Sequence, residues 1–275
     1  MTRVYNLVQR ENEKILIAAN IFVGRKKSLH EGLMDIIMLE EPDILILIDL
    51  IDLHHSSLDP MDIYRLVKTV DKIRPRVRIV YGCAELSPEQ YRYGDIDGYG
   101  NRELKEHVLQ KLEEVVDRLS SQVPDDITID ENSYLAALMK LRLIYKYSGS
   151  GELRIRLANG EELFITSGDK LYKEFSRELY GAKTPSMKRI LQAIELMRKE
   201  TNADWIIAGH PGVAKIHEEK RIAFPGSWHT YSEYILFSGY VKPSDLEKFL
   251  LITGDGVFKI DGIPYQPCVS RCGHG

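Results

Sequence analysis

Apolar residues recur along this chain in two rhythms. Compact runs at residues 15–19 (ILIAA) and 43–49 (DILILID) read as strands covered on both faces, since a strand with one wet face would alternate. Between them Leu29, Leu33, Ile36, Ile37 and Glu40 follow three- and four-residue spacing and predict a helix. Asp59 with Pro60 opens a second helix running to about Ile73, and residues 77–81 form the next strand. This strand–helix–strand–helix–strand order demands a parallel sheet with right-handed crossovers. In such sheets ligands bind beyond the carboxyl ends of the strands. Asn20, Asp49 and Cys83 fall at those ends.

The pattern then changes. Residues 86–101 are loop-like, with Pro88 and the run YRYGDIDGYG. Two helices follow, at about Glu103–Ser120 and Asp130–Tyr147, parted by Pro124-Asp125-Asp126; Val108, Leu109, Leu112, Val115, Val116 and Leu119 stripe the first. From Glu152, LRIRLANGEELFIT alternates around Asn159-Gly160 and predicts a tight hairpin. A helix from about Pro185 to Thr201 leads to strands at Trp205–Ala208 and near 213–217, 221–224 and 232–239, and LLITGDGVFKI closes with a hairpin at Gly254-Asp255-Gly256. The expectation is one α/β domain over 1–275. It is a two-sheet sandwich flanked by helices, with a helical insertion at about 101–148.

Composition narrows the function classes. Apolar content of 44% and charged content of 28% suit a soluble globular protein, and the dense Glu, Lys and Arg beside abundant Ile, Leu and Tyr suit a thermophile. A net charge of −4 gives no global basic field for nucleic acid. Arg74, Arg76 and Arg78 around Pro75 are the nearest basic patch, or else a solvated loop leading into strand 77–81. The apolar runs are too short to span a bilayer. No secretory signal is visible, and an odd cysteine count suggests no disulfide framework, so the cytoplasm is expected. Cys268, Cys272 and His274 form CxxxCxH, which could bind zinc only with ligands from another chain.

The densest chemical signal is Ala208-Gly209-His210-Pro211-Gly212 followed by Pro225-Gly226-Ser227-Trp228. Upstream stand KILIAANIFVG at 14–24, PDILILIDLIDL at 42–53, VYGCAE at 80–85 and FITSGDKLYKEF at 164–175. In order and approximate spacing these five stretches resemble the motifs of calcineurin-like metallophosphoesterases, in the branch that includes UDP-diacylglucosamine pyrophosphatases. The resemblance covers roughly residues 14–240. It implies a two-sheet sandwich and a pair of divalent ions bridged by a carboxylate and a water nucleophile. Related enzymes carry caps over the substrate at the point of the helical insertion.

Position by position, the ligands that the resemblance implies are missing. Asn20 stands for the first-motif Asp and could offer one weak carbonyl oxygen; Phe22 stands for its His and cannot ligate. Asp49 keeps the bridging carboxylate. Cys83 replaces the metal-binding Asn, Ala84 the leaving-group His and Ser167 a fourth-motif His. His210 survives, but its partner is Gly212. Asp49 and His210 alone cannot compensate two clustered dications. Asp52, His54 and His55 are read as the decoration of a polar loop, since Asp49 and Asp52 would not share a face of a strand.

The expected function is therefore a catalytically inactive scaffold or binding subunit of a cytosolic assembly, self-associating as a homodimer, with no cofactor. The resemblance offers inactive subunits of nucleic-acid-processing complexes as precedent, and a ribosome or polymerase is a conceivable assembly. Protein contacts are expected at Tyr91, Tyr93 and Tyr99, with Arg74, Arg76 and Arg78 as further candidates. One alternative is an active phosphomonoester or diester hydrolase, with Mn or Zn held by Asp49 and His210 in an atypical or single-metal site. A second is a nucleotide or phosphate-ligand sensor using backbone amides near Gly24, Gly82 and Gly209, with Arg25, Lys26 and Lys27 nearby.

Overall fold

Each unbroken apolar run is a strand whose alternate side chains enter two different cores. In β2 (Ile15–Ala19), Ile15, Ile17 and Ala19 enter one cluster while Leu16 and Ala18 enter another; in β3 (Ile44–Ile48), Ile44, Ile46 and Ile48 part from Leu45 and Leu47 in the same way. A period of two inside a sheet covered on both sides leaves no polar position to alternate with.

The computed structural model describes residues 6–24, 28–53, 60–82, 106, 108–114, 117, 130–167, 187–209, 211–229 and 242–263. The remaining strands are β1 (Leu7–Val8), β4 (Arg76–Val80), β5 (Gly149–Ser150), β6 (Glu152–Arg156), β7 (Glu162–Thr166), β8 (Trp205–Ala208), β9 (Ala214–His217), β10 (Ile222–Pro225), β11 (Lys248–Ile252) and β12 (Phe258–Gly262). The labelled helices are α1 (His30–Glu40), α2 (Pro60–Ile73), α3 (Asp130–Ser148) and α4 (Met187–Thr201), and residues 108–114 are also helical.

Two mixed six-stranded sheets result. One runs β1-β6-β7-β8-β10-β9 and the other β12-β11-β2-β3-β4-β5. Strands β2, β3 and β4 are parallel and in register, Ile17 beside Ile46 beside Arg78. The hairpin at Asn159-Gly160 joins antiparallel β6 and β7, and that at Gly254-Asp255-Gly256 joins β11 and β12, as their turn chemistry predicts.

Three apolar layers hold the sandwich. Ile15, Ile17, Ile46 and Ile48 of one sheet meet Leu153, Ile155, Leu163 and Ile207 of the other. Outside β2, β3 and β4, Leu16, Leu45 and Ile79 pack with Leu33 and Ile37 of α1, Leu66 of α2, Val108 and Leu112 of the 108–114 segment, and Leu141 and Tyr145 of α3. On the far side Ile190 and Ile194 of α4 cover Phe164, Ile206 and Phe224. The protein is thus the two-sheet α/β sandwich with flanking helices that the sequence led us to expect. Among the described residues no helix is long and apolar enough to cross a membrane.

Boundaries shift by a residue or so, and the strand expected near 232–239 lies outside the described residues. One shift changes a reading. β4 begins at Arg76, so Arg76 and Arg78 are strand residues rather than a solvated loop. Arg76 pairs with Glu13 and donates to the Val8 carbonyl at 3.1 Å. Arg74 closes α2 in a left-handed conformation (φ 54°), its N–H on the Val70 carbonyl at 2.7 Å. A cleft of about 550 Å³ lies here, at the amino ends of β3 and β4, lined by Arg10, Glu13, Asp43, Lys72, Arg74 and Arg76. Acids interleave its cations, and Arg78 spends a donor on the Val77 carbonyl at 2.8 Å. Burial, and then Arg76 beside it, holds the Arg78 guanidinium below its ordinary value.

Candidate functional site

The crevice expected from the strand order falls where β2, β3 and β4 of one sheet end beside β8 and β10 of the other, and the side chains described there are buried. Three residues leave their strands with positive φ: Asn20 at 53°, Phe22 at 50° and Asp49 at 53°. Asn and Asp tolerate the left-handed region better than most residues, whereas Phe there stores strain of about 1–3 kcal/mol. Backbone bonds fix the geometry. Ile21 and Phe22 N–H both donate to the Asp49 carbonyl, at 3.1 and 3.0 Å, and Val23 N–H reaches the Leu50 carbonyl at 2.9 Å. Val23 and Ile51 then form a short parallel bridge, so the two chains pair again beyond their turns.

Asn20 is wholly buried and its side-chain amide nitrogen has two partners. It donates to the Gly209 carbonyl at 2.7 Å and to the Gly226 carbonyl at 3.2 Å. The carboxamide therefore clips the end of β2 to the ends of β8 and β10 on the facing sheet, a tie reinforced by Trp228 N–H on the Ala19 carbonyl at 3.3 Å. A carboxylate has no hydrogen to give and could make neither side-chain bond. The nitrogen ties the two sheets together, while the oxygen, the weak donor expected from the sequence, is buried without a hydrogen-bond partner.

Phe22 is also wholly buried. Its ring meets the His229 imidazole edge-on, with centroids 5.3 Å apart and planes at 90°. An apolar ring thus fills the position where the resemblance implies an imidazole ligand. His229 follows Trp228 directly, and its backbone pairs with Ser28. Nothing in the local pattern marked this histidine as part of the crevice. Trp228 is wholly buried, close to Gly32 of α1.

Asp49 is buried with its carboxylate against the backbone of Gly82. A β-carbon at 82 would fall inside that carboxylate, so only glycine lets β4 end this close to β3. Asp52 is buried as well, with its N–H on the Val23 carbonyl at 2.9 Å. Its reading as polar loop decoration is thereby corrected: the chain re-pairs here and carries Asp52 inward. Gly212 holds φ 71° and donates to the Gly209 carbonyl at 3.3 Å, a geometry that a histidine would adopt only with strain. Ser167 is buried just past the end of β7. Gly209 N–H is committed to the Thr166 carbonyl at 3.2 Å, which withdraws one amide that the phosphate-sensor reading would use.

Beside the crevice, Ser28, His30 and Asp62 line up. His30 Nδ1 lies 3.0 Å from Ser28 Oγ, and Nε2 lies 3.0 Å from Asp62 Oδ1, off the line of a well-formed hydrogen bond. The Ser28 hydroxyl spends its proton on the Ile21 carbonyl at 2.7 Å. The row is thus a strut between the end of β2 and α2, not an activated nucleophile, which would present its proton to the imidazole.

The structure brings Asn20, Phe22, Asp49 and Gly212 together and places Arg74 and Arg76 at the opposite end of the sheet, with Arg78 midway along β4. Cys83, Ala84, His210, Tyr91, Tyr93, Tyr99, Cys268, Cys272 and His274 lie outside the described residues, as do His54, His55 and the triplet Arg25–Lys27. Among the described residues no three His, Cys, Asp or Glu side chains are grouped to hold a metal ion. Of the donors described, Asp49 and Asp52 bring carboxylates, Asn20 keeps one carbonyl oxygen and Phe22 has nothing to give.

No protein-family model matches the sequence. No curated protein matches it either. Solved structures with a similar course of chain include TT1561 of Thermus thermophilus, at 10% identity and a TM-score of 0.40, covering 91% of this chain and 99% of that one. A Vps29 single mutant from Entamoeba histolytica gives 12% identity and a TM-score of 0.41, over 92% of this chain and 99% of its own. Wild-type Vps29 from the same organism, complexed with Zn2+, gives 12% identity and 0.42 over the same shares. Likenesses of that size decide nothing about the chemistry of the crevice.

Proposed function

We propose that this chain is a catalytically silent metallophosphoesterase-like protein that serves as a scaffold or binding subunit of a cytosolic assembly. The observation that carries the reading is the Asn20 clip. In a two-metal site the residue leaving β2 would offer a charged carboxylate; here a neutral amide gives its hydrogens to the Gly209 and Gly226 carbonyls and keeps only a carbonyl oxygen. With the Phe22 ring filling the neighbouring position, water at Asp49 has no pair of dications to lower its pKa.

Growth in manganese- or zinc-supplemented medium, followed by metal analysis and assay on an aryl phosphate diester, tests this directly. The expected result is metal well below one ion per chain and no turnover that Asp49→Ala abolishes. Two ions per chain, with hydrolysis lost in Asp49→Ala, would overturn the reading in favour of an active hydrolase.

A further inference from the structure

Helix α3 is apolar on two sides. Ala137, Leu141 and Tyr145 face inward and are buried with the other helices over β4. Met139, Leu143 and Tyr147 are exposed at 62%, 49% and 74%. Four-residue spacing sets these three on one ridge, the row by which helices pack into one another's grooves. A helix apolar all round belongs in an interior, and three large apolar side chains in one row differ from scattered exposed ones.

The charges that α3 itself sets beside the ridge have one sign, and two of them meet acids of neighbouring elements. From Ala136 to Ser148 the helix carries Lys140, Arg142 and Lys146 and no acid. Lys140 pairs with Asp71 of α2, and Arg142 with Glu113 at 2.8 Å. Lys146 sits over the Tyr147 ring at 5.6 Å and meets no carboxylate among the described residues. A second copy of this chain would fit the ridge badly. Antiparallel contact centred on Leu143 sets Met139 against Tyr147 of the second copy, and also Lys140 against Lys146 of the second copy. Like charges across an interface repel.

We propose that the Met139–Leu143–Tyr147 ridge docks an acidic amphipathic helix of a protein partner. Apolar side chains at i, i+3 or i+4 and i+7 would lie across the ridge, and flanking carboxylates would meet Lys146 and the outer edges of Lys140 and Arg142. The inference deepens the binding-subunit reading and rests on it, naming the face and the partner's chemistry.

Fluorescence anisotropy on the full chain tests it. The probe is a labelled peptide of about 18 residues, long enough to hold a helix, with Leu at that spacing and Glu beside it; a twin carries Lys for every Glu. The acidic peptide is expected to bind about tenfold more tightly than its twin, Leu143→Glu to remove that binding and Lys146→Glu to erase the preference. Equal binding of the twins, or binding unmoved by Leu143→Glu, overturns the proposal. So does a dimer in sedimentation velocity that Leu143→Glu dissociates, which would give the ridge to a second copy. The two readings fail separately. Peptide docking on a protein with two ions and turnover removes the silent crevice and keeps the ridge, whereas a metal-free protein with no docking does the reverse.

Discussion

The crevice and the outer face of α3 invert the usual distribution of polarity in opposite senses. At the strand ends, Asn20, Asp49 and Asp52 are wholly buried and woven into backbone geometry. On α3, Met139, Leu143 and Tyr147 are apolar and stand in solvent. Buried polar groups are tolerated when bonded, and at Asn20 the bonds join two sheets. An apolar ridge in water gains nothing for the isolated chain. At the strand ends polar side chains hold the fold from within, while on α3 a row of apolar ones faces water. The contrast teaches that polarity alone does not mark which surface is free to meet a partner.

The sharpest way to break this comparison is Asn20→Asp. If the clip is real, the new carboxylate faces two carbonyl oxygens inside the protein, and the urea midpoint should fall by the equivalent of about 3 kcal/mol, as when a buried polar contact loses its donor to a charge. Asn20→Ala should lose less, about 2 kcal/mol, since it leaves the carbonyls unpaired without adding charge. A variant Asn20→Asp as stable as the wild-type protein in chelator, or one raised above it by Mn2+ or Zn2+, would show a ligand position and sink the clip.

Gly82→Ala probes the other wall of the crevice. The added β-carbon overlaps the Asp49 carboxylate, so either β4 retreats or Asp49 swings out, with an expected loss of about 2 kcal/mol in the same measurement. An unchanged midpoint would mean that the Asp49 side chain is not held against β4.

How far the sequence foretells these regions depends on the range of the forces involved. The strands β2 and β3 are legible because alternate Ile and Leu side chains must be covered on both faces, and the two hairpins because Asn-Gly and Gly-Asp-Gly specify local turns. Four residues of the motif stretches, Asn20, Phe22, Asp49 and Gly212, do come together at the strand ends. What Asn20 does is not legible: its acceptors, the Gly209 and Gly226 carbonyls, lie 189 and 206 residues away, and backbone carbonyls leave no trace in composition. Asp52 misled for a related reason, because a polar residue after a strand suggests water until the chain is seen to pair again with Val23. The arginines at 76 and 78 misled because Pro75 suggests a loop, whereas proline is permitted immediately before a strand.

The sandwich edge supplies a milder test. His217, in edge strand β9, lies edge-on to Phe224 at 6.0 Å with Nε2 buried. Burial, then Lys215 and Lys220, holds its pKa below the ordinary 6.5. The folded imidazole is therefore the weaker base, and the unfolded chain takes up the extra proton. This contribution to stability is present above pH 6.5 and is lost as pH falls through the depressed folded value. Denaturation midpoints should decline over that window, and His217→Gln should flatten the decline. An equal slope in the variant would remove His217 from the account.

The smallest expected effect falls on the ridge, and it completes the comparison. Leu143→Glu exchanges a half-exposed apolar side chain for a charged one beside Lys140 and Lys146, so unfolding free energy should stay within about 0.5 kcal/mol of wild type. Asn20→Asp and Leu143→Glu each introduce one carboxylate, yet only the first should lower the midpoint. Should Leu143→Glu cost as much as a core substitution, the side chain is packed in solution, the ridge is part of the interior, and the contrast between the two regions fails.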